Sequence, residues 1–213
     1  MMASEIQILL YRRLIGCGQT SGYVQLTRLS EDEVSGKIDS ENIDLSALTN
    51  ECGGTQISDQ IILTAAHCVV IGNVNAARSG DFVVGVHSNF THPKFDNTAY
   101  NNIAVIKLDV GINTLNKSPP CISDGDYDTS GREATYEGHG STSKGIPSEI
   151  LKKETVTILA NDICADKLRA KWLRHLINKR KIKSRFPEGV TDDIICTIGN
   201  EVSANTCKSK EFV

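Results

Sequence analysis

No stretch of the 213-residue sequence approaches the ~18 consecutive apolar residues that a membrane-spanning helix needs, so no membrane partner is expected. Nor does one sign of charge dominate. Twenty-three Lys and Arg stand against 26 Asp and Glu, a formal net charge of −3. No global field therefore points to nucleic acid or to an anionic surface. The seven cysteines contain no Cys-x-x-Cys pair and no Cys/His cluster at zinc spacing, so no metal ion or cofactor is expected. No internal repeat is visible. The opening, MMASEIQILLYRRLIG, makes a poor signal peptide. Its apolar run IQILL is short, and Glu5 stands where positive charge belongs.

What is present is ordinary for a soluble globular protein: 39% hydrophobic and 23% charged residues. The length allows one large or two small domains. Cys17, Cys52, Cys68, Cys121, Cys164, Cys196 and Cys207 are widely spread. Scattered cysteines in a chain of this size read as disulfides formed in an oxidising, extracellular compartment. Seven is odd, so at least one thiol is unpaired or bonds to another chain. Two triplets, Asn89-Phe90-Thr91 and Asn116-Lys117-Ser118, have the form of N-glycosylation acceptors and fit secretion. Pro119 follows the second.

Short β-like segments recur. TQIS and IILT flank a turn at Asp59-Gln60, and DFVVGV (81–86), NIAVIKL (102–108), ATYEGHG (134–140) and ETVTILA (154–160) follow. Many short strands between turn residues predict a β-barrel or sandwich. Residues 31–51 hold seven acids and one lysine, the pattern of a solvated loop. Residues 167–185, KLRAKWLRHLINKRKIKSR, hold nine Lys or Arg and no acid. Leu168, Trp172 and Leu176 recur at helical spacing, which predicts a basic amphipathic helix. Lys171, Arg174, Lys179, Arg180 and Lys181 make it a candidate polyanion site, such as for a sulfated sugar; a plain surface helix is the competing reading. His67 ends an apolar run beside Cys68, and an imidazole so placed is a candidate general base.

Four blocks carry a family resemblance. CGGTQISDQIILTAAHC (52–68) resembles the histidine segment of trypsin-like serine proteases, and HPKFDNTAYNNIAVIKL (92–108) resembles the stretch around their triad aspartate. ATYEGHGSTSKGIPSEIL (134–151) is similar to the opening of the family's second barrel, and DDIICTIGNEVSANTC (192–207) to the approach to the catalytic serine. The blocks follow family order and cover most of residues 14–208. The resemblance implies an all-β fold of two packed antiparallel six-stranded barrels. It also implies a second barrel incomplete at its C-terminal end and carrying the basic helical insert. Residues 1–13 would be a leader or pro-segment, with an activation site at RRLIGCG, and 14–213 the protease domain lacking its C-terminal part.

The implied chemistry is peptide-bond hydrolysis. A serine hydroxyl needs a neutral imidazole to take its proton, and His67 matches that base. The resemblance implies bridges Cys52–Cys68 and Cys164–Cys196. It leaves Cys207 without a mate, and Cys17 and Cys121 to each other as a guess.

Five departures from the family pattern follow. Asn102 stands at the triad aspartate, a replacement that in this family lowers turnover about ten-thousand-fold. Asp96 lies upstream as a substitute acid, though in a loop. After Cys207 the chain reads Lys208-Ser209-Lys210-Glu211-Phe212-Val213, where the family has the serine motif. No nucleophile is therefore recognised, Ser209 included. Lys210 takes the place of the acid that receives the activated N-terminus. Asn205 sits at the floor of the specificity pocket, and His139 replaces a usual tryptophan, which reads as a packing change.

An unclosed second barrel would leave open edges, so marginal stability is expected. Two functional readings follow. One is a secreted serine endopeptidase with protein or peptide substrates, this chain being inactive as written. The other is a non-catalytic homologue that binds a partner or a polyanion.

Overall fold

The computed structural model describes residues 22–29, 50–79, 82–112, 119–120, 122, 129–138, 150–174, 183–192 and 194–199. The chain divides into two compact units. One runs to Pro93 and includes Asn102–Ile122; the other takes Lys94–Asn101 and the residues beyond Ile122.

The first unit is a closed antiparallel barrel of six strands in the order β1-β2-β3-β6-β5-β4. The strands are β1 (Tyr23–Thr27), β2 (Asn50–Gln56), β3 (Ile61–Thr64), β4 (Ala76–Ser79), β5 (Phe82–Thr91) and β6 (Ala104–Leu108). The two-residue repeat of a strand sets which side chains face inward. Ile62 of β3 and Ala104, Ile106 and Leu108 of β6 are buried, while Lys107 between them is exposed. Val24, Leu26, Val74, Ala77, Val84 and Ile112 complete the core. Each fully buried Leu or Ile contributes about 1.5–3 kcal/mol. Gly54 explains part of the CGG run: a Cβ there would lie 2.6 Å from Ile62 Cγ2. The predicted turn at Asp59-Gln60 joins β2 to β3, with Gln56 opposite Ile62.

Two differences from the sequence reading concern extent. β5 runs on to Thr91, five residues past the predicted segment, because β6 pairs with it as far as Thr91↔Ala104. β4, of sequence AARS, carries no β signal. It is a strand because β1 and β5 flank it, and Ala76 and Ala77 are fully buried there.

In the second unit, β7 (Glu133–Gly138), β8 (Lys152–Leu159) and β9 (Cys196–Gly199) form an antiparallel sheet in the order β7-β8-β9. Ala134, Val156 and Ile158 make its buried cluster. A helix of 14 residues, Asn161–Arg174, follows β8. It starts six residues before the basic run, with Asp162 in its first turn, where a negative charge meets the positive end of the helix dipole. Cys164 on this helix is bonded to Cys196 of β9, with Cα atoms 6.1 Å apart. Segment 94–101 belongs to this unit. Ala99 N–H donates to the Arg185 carbonyl at 2.9 Å. The Tyr100 hydroxyl donates to the Gly189 carbonyl at 2.8 Å and accepts from Glu188 N–H at 3.0 Å. Burial pushes the Tyr100 phenol above its ordinary value of 10.0.

Candidate active site

After Thr64 the chain leaves β3 through Ala65, extended at φ −82° and ψ 143°, and turns into α1 (Ala66–Val70). Ala66 and Cys68 bury their side chains and leave His67, between them, half-buried. The helix closes after one turn. Ile71 N–H donates to the His67 carbonyl at 2.8 Å, and Asn73 then adopts φ +49°. The long helix of the second unit is α2. Cys68 is bonded to Cys52 of β2, so the backbone on the C-terminal side of His67 is tied to the barrel wall.

Asn102 lies two residues before β6 and is buried, at 6% exposure. Its Oδ1 accepts the backbone N–H of His67 at 3.0 Å. Its Nδ2 is 3.0 Å from His67 Nδ1, and its Oδ1 is 3.2 Å from the same nitrogen. The backbone N–H settles which way the amide points. Turning the amide over would set an NH2 against an N–H, two donors face to face. With Oδ1 held there, Nδ2 is the amide atom nearer the ring. Nδ2 has only protons to offer, so its contact pairs with a bare Nδ1 and a proton on Nε2, whereas the Oδ1 contact pairs with a proton on Nδ1. Nε2 lies 3.6 Å from Cys68 Sγ, a weak acceptor suited to an N–H. A carboxylate in the same place would offer oxygen at both positions. Nδ1 would then hold the proton, and Nε2 would be left as a base.

Asp96, the upstream acid, is engaged locally. Its Oδ1 accepts from Thr98 N–H at 3.0 Å and from the Thr98 hydroxyl at 2.6 Å, bonds that hold the carboxyl below its usual value. Cys52, His67 and Cys68 bring three potential ligand atoms within 4.8 Å of one another. Both sulfurs are joined in the disulfide and offer no thiolate, so this set does not make a metal site.

Asn205, Cys17, Cys121, Cys207, His139, Ser209, Lys210 and Glu211 lie outside the described residues, as do Lys179, Arg180 and Lys181. Lys171 and Arg174 fall in the last turn of α2. The sequence reading missed that Asn102 also caps the His67 backbone. The signal was the two asparagines before Ile103, the first of which adopts φ +53° and turns the chain into β6.

The sequence profile of the Trypsin family matches residues 34–209. The chain belongs to the trypsin family. Among curated trypsin-family relatives it is 35% identical to trypsin alpha of Drosophila melanogaster over 131 residues, 55% of this chain and 50% of that protein. It is 34% identical to chymotrypsin of Phaedon cochleariae over 134 residues, 54% of this chain and 48% of that protein. The serine proteinase stubble of Drosophila melanogaster is 31% identical over 135 residues, 54% of this chain and 17% of that protein. The chain thus spans about half or less of the curated relatives it matches. Among solved structures, neuropsin, a serine protease expressed in the limbic system of mouse brain, superposes with a TM-score of 0.57. The identity is 19%, covering 89% of this chain and 74% of that one. That likeness supports the trypsin-like fold. Among the described residues no helix is long and apolar enough to cross a membrane.

Proposed function

We propose that this chain is an extracellular trypsin-family protein that binds proteins or peptides without cleaving them. One observation carries the reading: the Asn102 amide opposes His67 Nδ1 with a donor, while its oxygen is held by the His67 backbone. The histidine keeps the position of a general base and carries its proton on the wrong nitrogen. In this family that substitution lowers turnover by about ten-thousand-fold, or about 5.5 kcal/mol of barrier at ~1.36 kcal/mol per tenfold. Residues 208–213, KSKEFV, do not match the family's serine motif and support the same reading.

The test is a fluorophosphonate probe applied to the protein purified from its native source, beside active trypsin. Serine labelling at the trypsin rate overturns the proposal and restores the endopeptidase reading. Absence of labelling, with retained binding of peptides, supports it.

The nine cations of residues 167–185 favour a second reading, a polyanion site that includes Lys171, Arg174, Lys179, Arg180 and Lys181. Heparin chromatography tests it. Retention above physiological salt, lost when those five become glutamine, supports the site, and elution well below physiological salt removes it.

A further inference from the structure

We propose that Asn89 is a site of N-linked glycosylation, carrying one oligosaccharide on the outer end of β5. The triplet Asn89-Phe90-Thr91 supplies the acceptor amide, a middle residue other than proline and a threonine hydroxyl. Such triplets are common, so the case rests on where the fold puts this one. β5 is ten residues long, but β4 pairs only with Phe82–Gly85. Beyond the irregularity between Val86 and Ser88, β6 alone is hydrogen-bonded to it among the described strands.

The burial pattern changes at the same point. Val83, Val84 and Gly85 are buried, whereas Asn89 and Phe90 are both exposed, Phe90 at 65%. Neighbouring strand residues point to opposite faces. Both faces of this strand end therefore stand in solvent, and a branched saccharide on Asn89 Nδ2 displaces no core group.

In the transfer step Asn89 Nδ2 forms a bond to C1 of the reducing-end sugar of an oligosaccharide carried on a lipid diphosphate. The C1–O bond to the diphosphate breaks, the lipid diphosphate leaves, and Nδ2 loses one proton. No oxidant or reductant takes part, and the side chain stays neutral. The second triplet is a natural comparison. Pro119 follows Ser118 directly and restricts that residue's backbone.

The proposal rests on the extracellular reading, because the donor is met in the secretory pathway. The experiment separates the two. The full chain is expressed in insect cells behind a heterologous secretory leader and, in parallel, from its own start. Total lysate and medium are run before and after peptide-N-glycosidase treatment. Behind the added leader, one mobility step lost on treatment is expected. The step is absent from Asn89→Gln and Thr91→Val, and retained in Thr91→Ser and Asn116→Gln. The Asn89 peptide from treated protein then carries aspartate, read by mass. No mobility step in lysate or medium, or a step that persists in Asn89→Gln, overturns the site. A step present with the added leader and absent with the native start leaves the site standing and overturns native export.

Discussion

Replacing Asn102 by aspartate exchanges the one amide nitrogen that faces His67 for an oxygen. In the present chain Nδ2 lies 3.0 Å from Nδ1, while Oδ1 holds the His67 backbone N–H at 3.0 Å. A proton on Nδ1 would meet a donor, and a lone pair there meets a hydrogen bond. The difference is one buried hydrogen bond made or left unmade, about 1–3 kcal/mol. That gap makes the Nε2–H tautomer dominant by about 5- to 150-fold, since ~1.4 kcal/mol is a factor of ten. Asn102→Asp reverses the preference, because the new oxygen accepts from Nδ1–H in a charge-assisted bond. Long-range proton–nitrogen correlation spectra of 15N-histidine-labelled protein, recorded where His67 is neutral, separate the protonated from the bare ring nitrogen. Protonated Nε2 in the parent and protonated Nδ1 in the variant are expected. Protonated Nδ1 in the parent would refute the assigned direction of the Asn102 amide, and His67 would regain the tautomer of a base. The readout needs no nucleophile, so it holds whatever follows Cys207.

Tyr100→Phe removes the hydroxyl that bridges Glu188 N–H and the Gly189 carbonyl and should cost about 1–3 kcal/mol in denaturant melts. Because burial raises the Tyr100 phenol above 10.0, its contribution is whole below about pH 10 and fades as pH climbs through the raised value. Melts of Tyr100→Phe should therefore lose that alkaline dependence, and an unchanged slope would refute it. Replacing both Cys164 and Cys196 by alanine opens a 32-residue separation and should lower stability by about 4 kcal/mol in the chain-entropy model, read under non-reducing conditions. Leu26→Ala empties a fully buried site in the barrel and should cost about 2–5 kcal/mol in the same melts.

The barrel was legible where a short apolar or β-branched run is bounded by turn residues. IILT and the Ile-Ala-Val-Ile-Lys-Leu run gave β3 and β6, since each needs every second side chain inside. β4 was not legible, because Ala-Ala-Arg-Ser is a strand only through its neighbours. Only Ala77 of this strand joins the core cluster, and one small side chain leaves little hydrophobic signature. The start of α2 was hidden for a related reason. The basic run begins at residue 167, whereas the helix is set by where β8 stops and by Asp162 in the first turn. At the site, His67 and Asn102 were both visible, but the direction of the amide was not. That direction is decided by a backbone N–H 35 residues away in sequence.

On the proposed reading, the same backbone contact lets position 102 change while the surrounding fold stays intact. An acid at position 102 has two duties. One oxygen caps the His67 backbone N–H and fixes the turn after β3; the other holds the ring proton. Asparagine keeps the first duty, since Oδ1 still accepts at 3.0 Å. It fills nearly the same volume, and it is easier to bury at 6% exposure because it carries no charge. Stability therefore offers little resistance to the exchange, and on the proposed reading its cost falls on proton transfer. Alanine at the same place would fail both duties, leaving the His67 N–H without an acceptor at a cost of about 1–3 kcal/mol. Comparing Asn102→Ala with Asn102→Asp in melts separates the two roles. The aspartate chain should match the parent near neutral pH to within about 1 kcal/mol, the net worth of an ordinary hydrogen bond, while the alanine chain falls below both. If alanine melts with the parent, the amide is not holding the His67 turn, and nothing then fixes which of its two ends faces the ring.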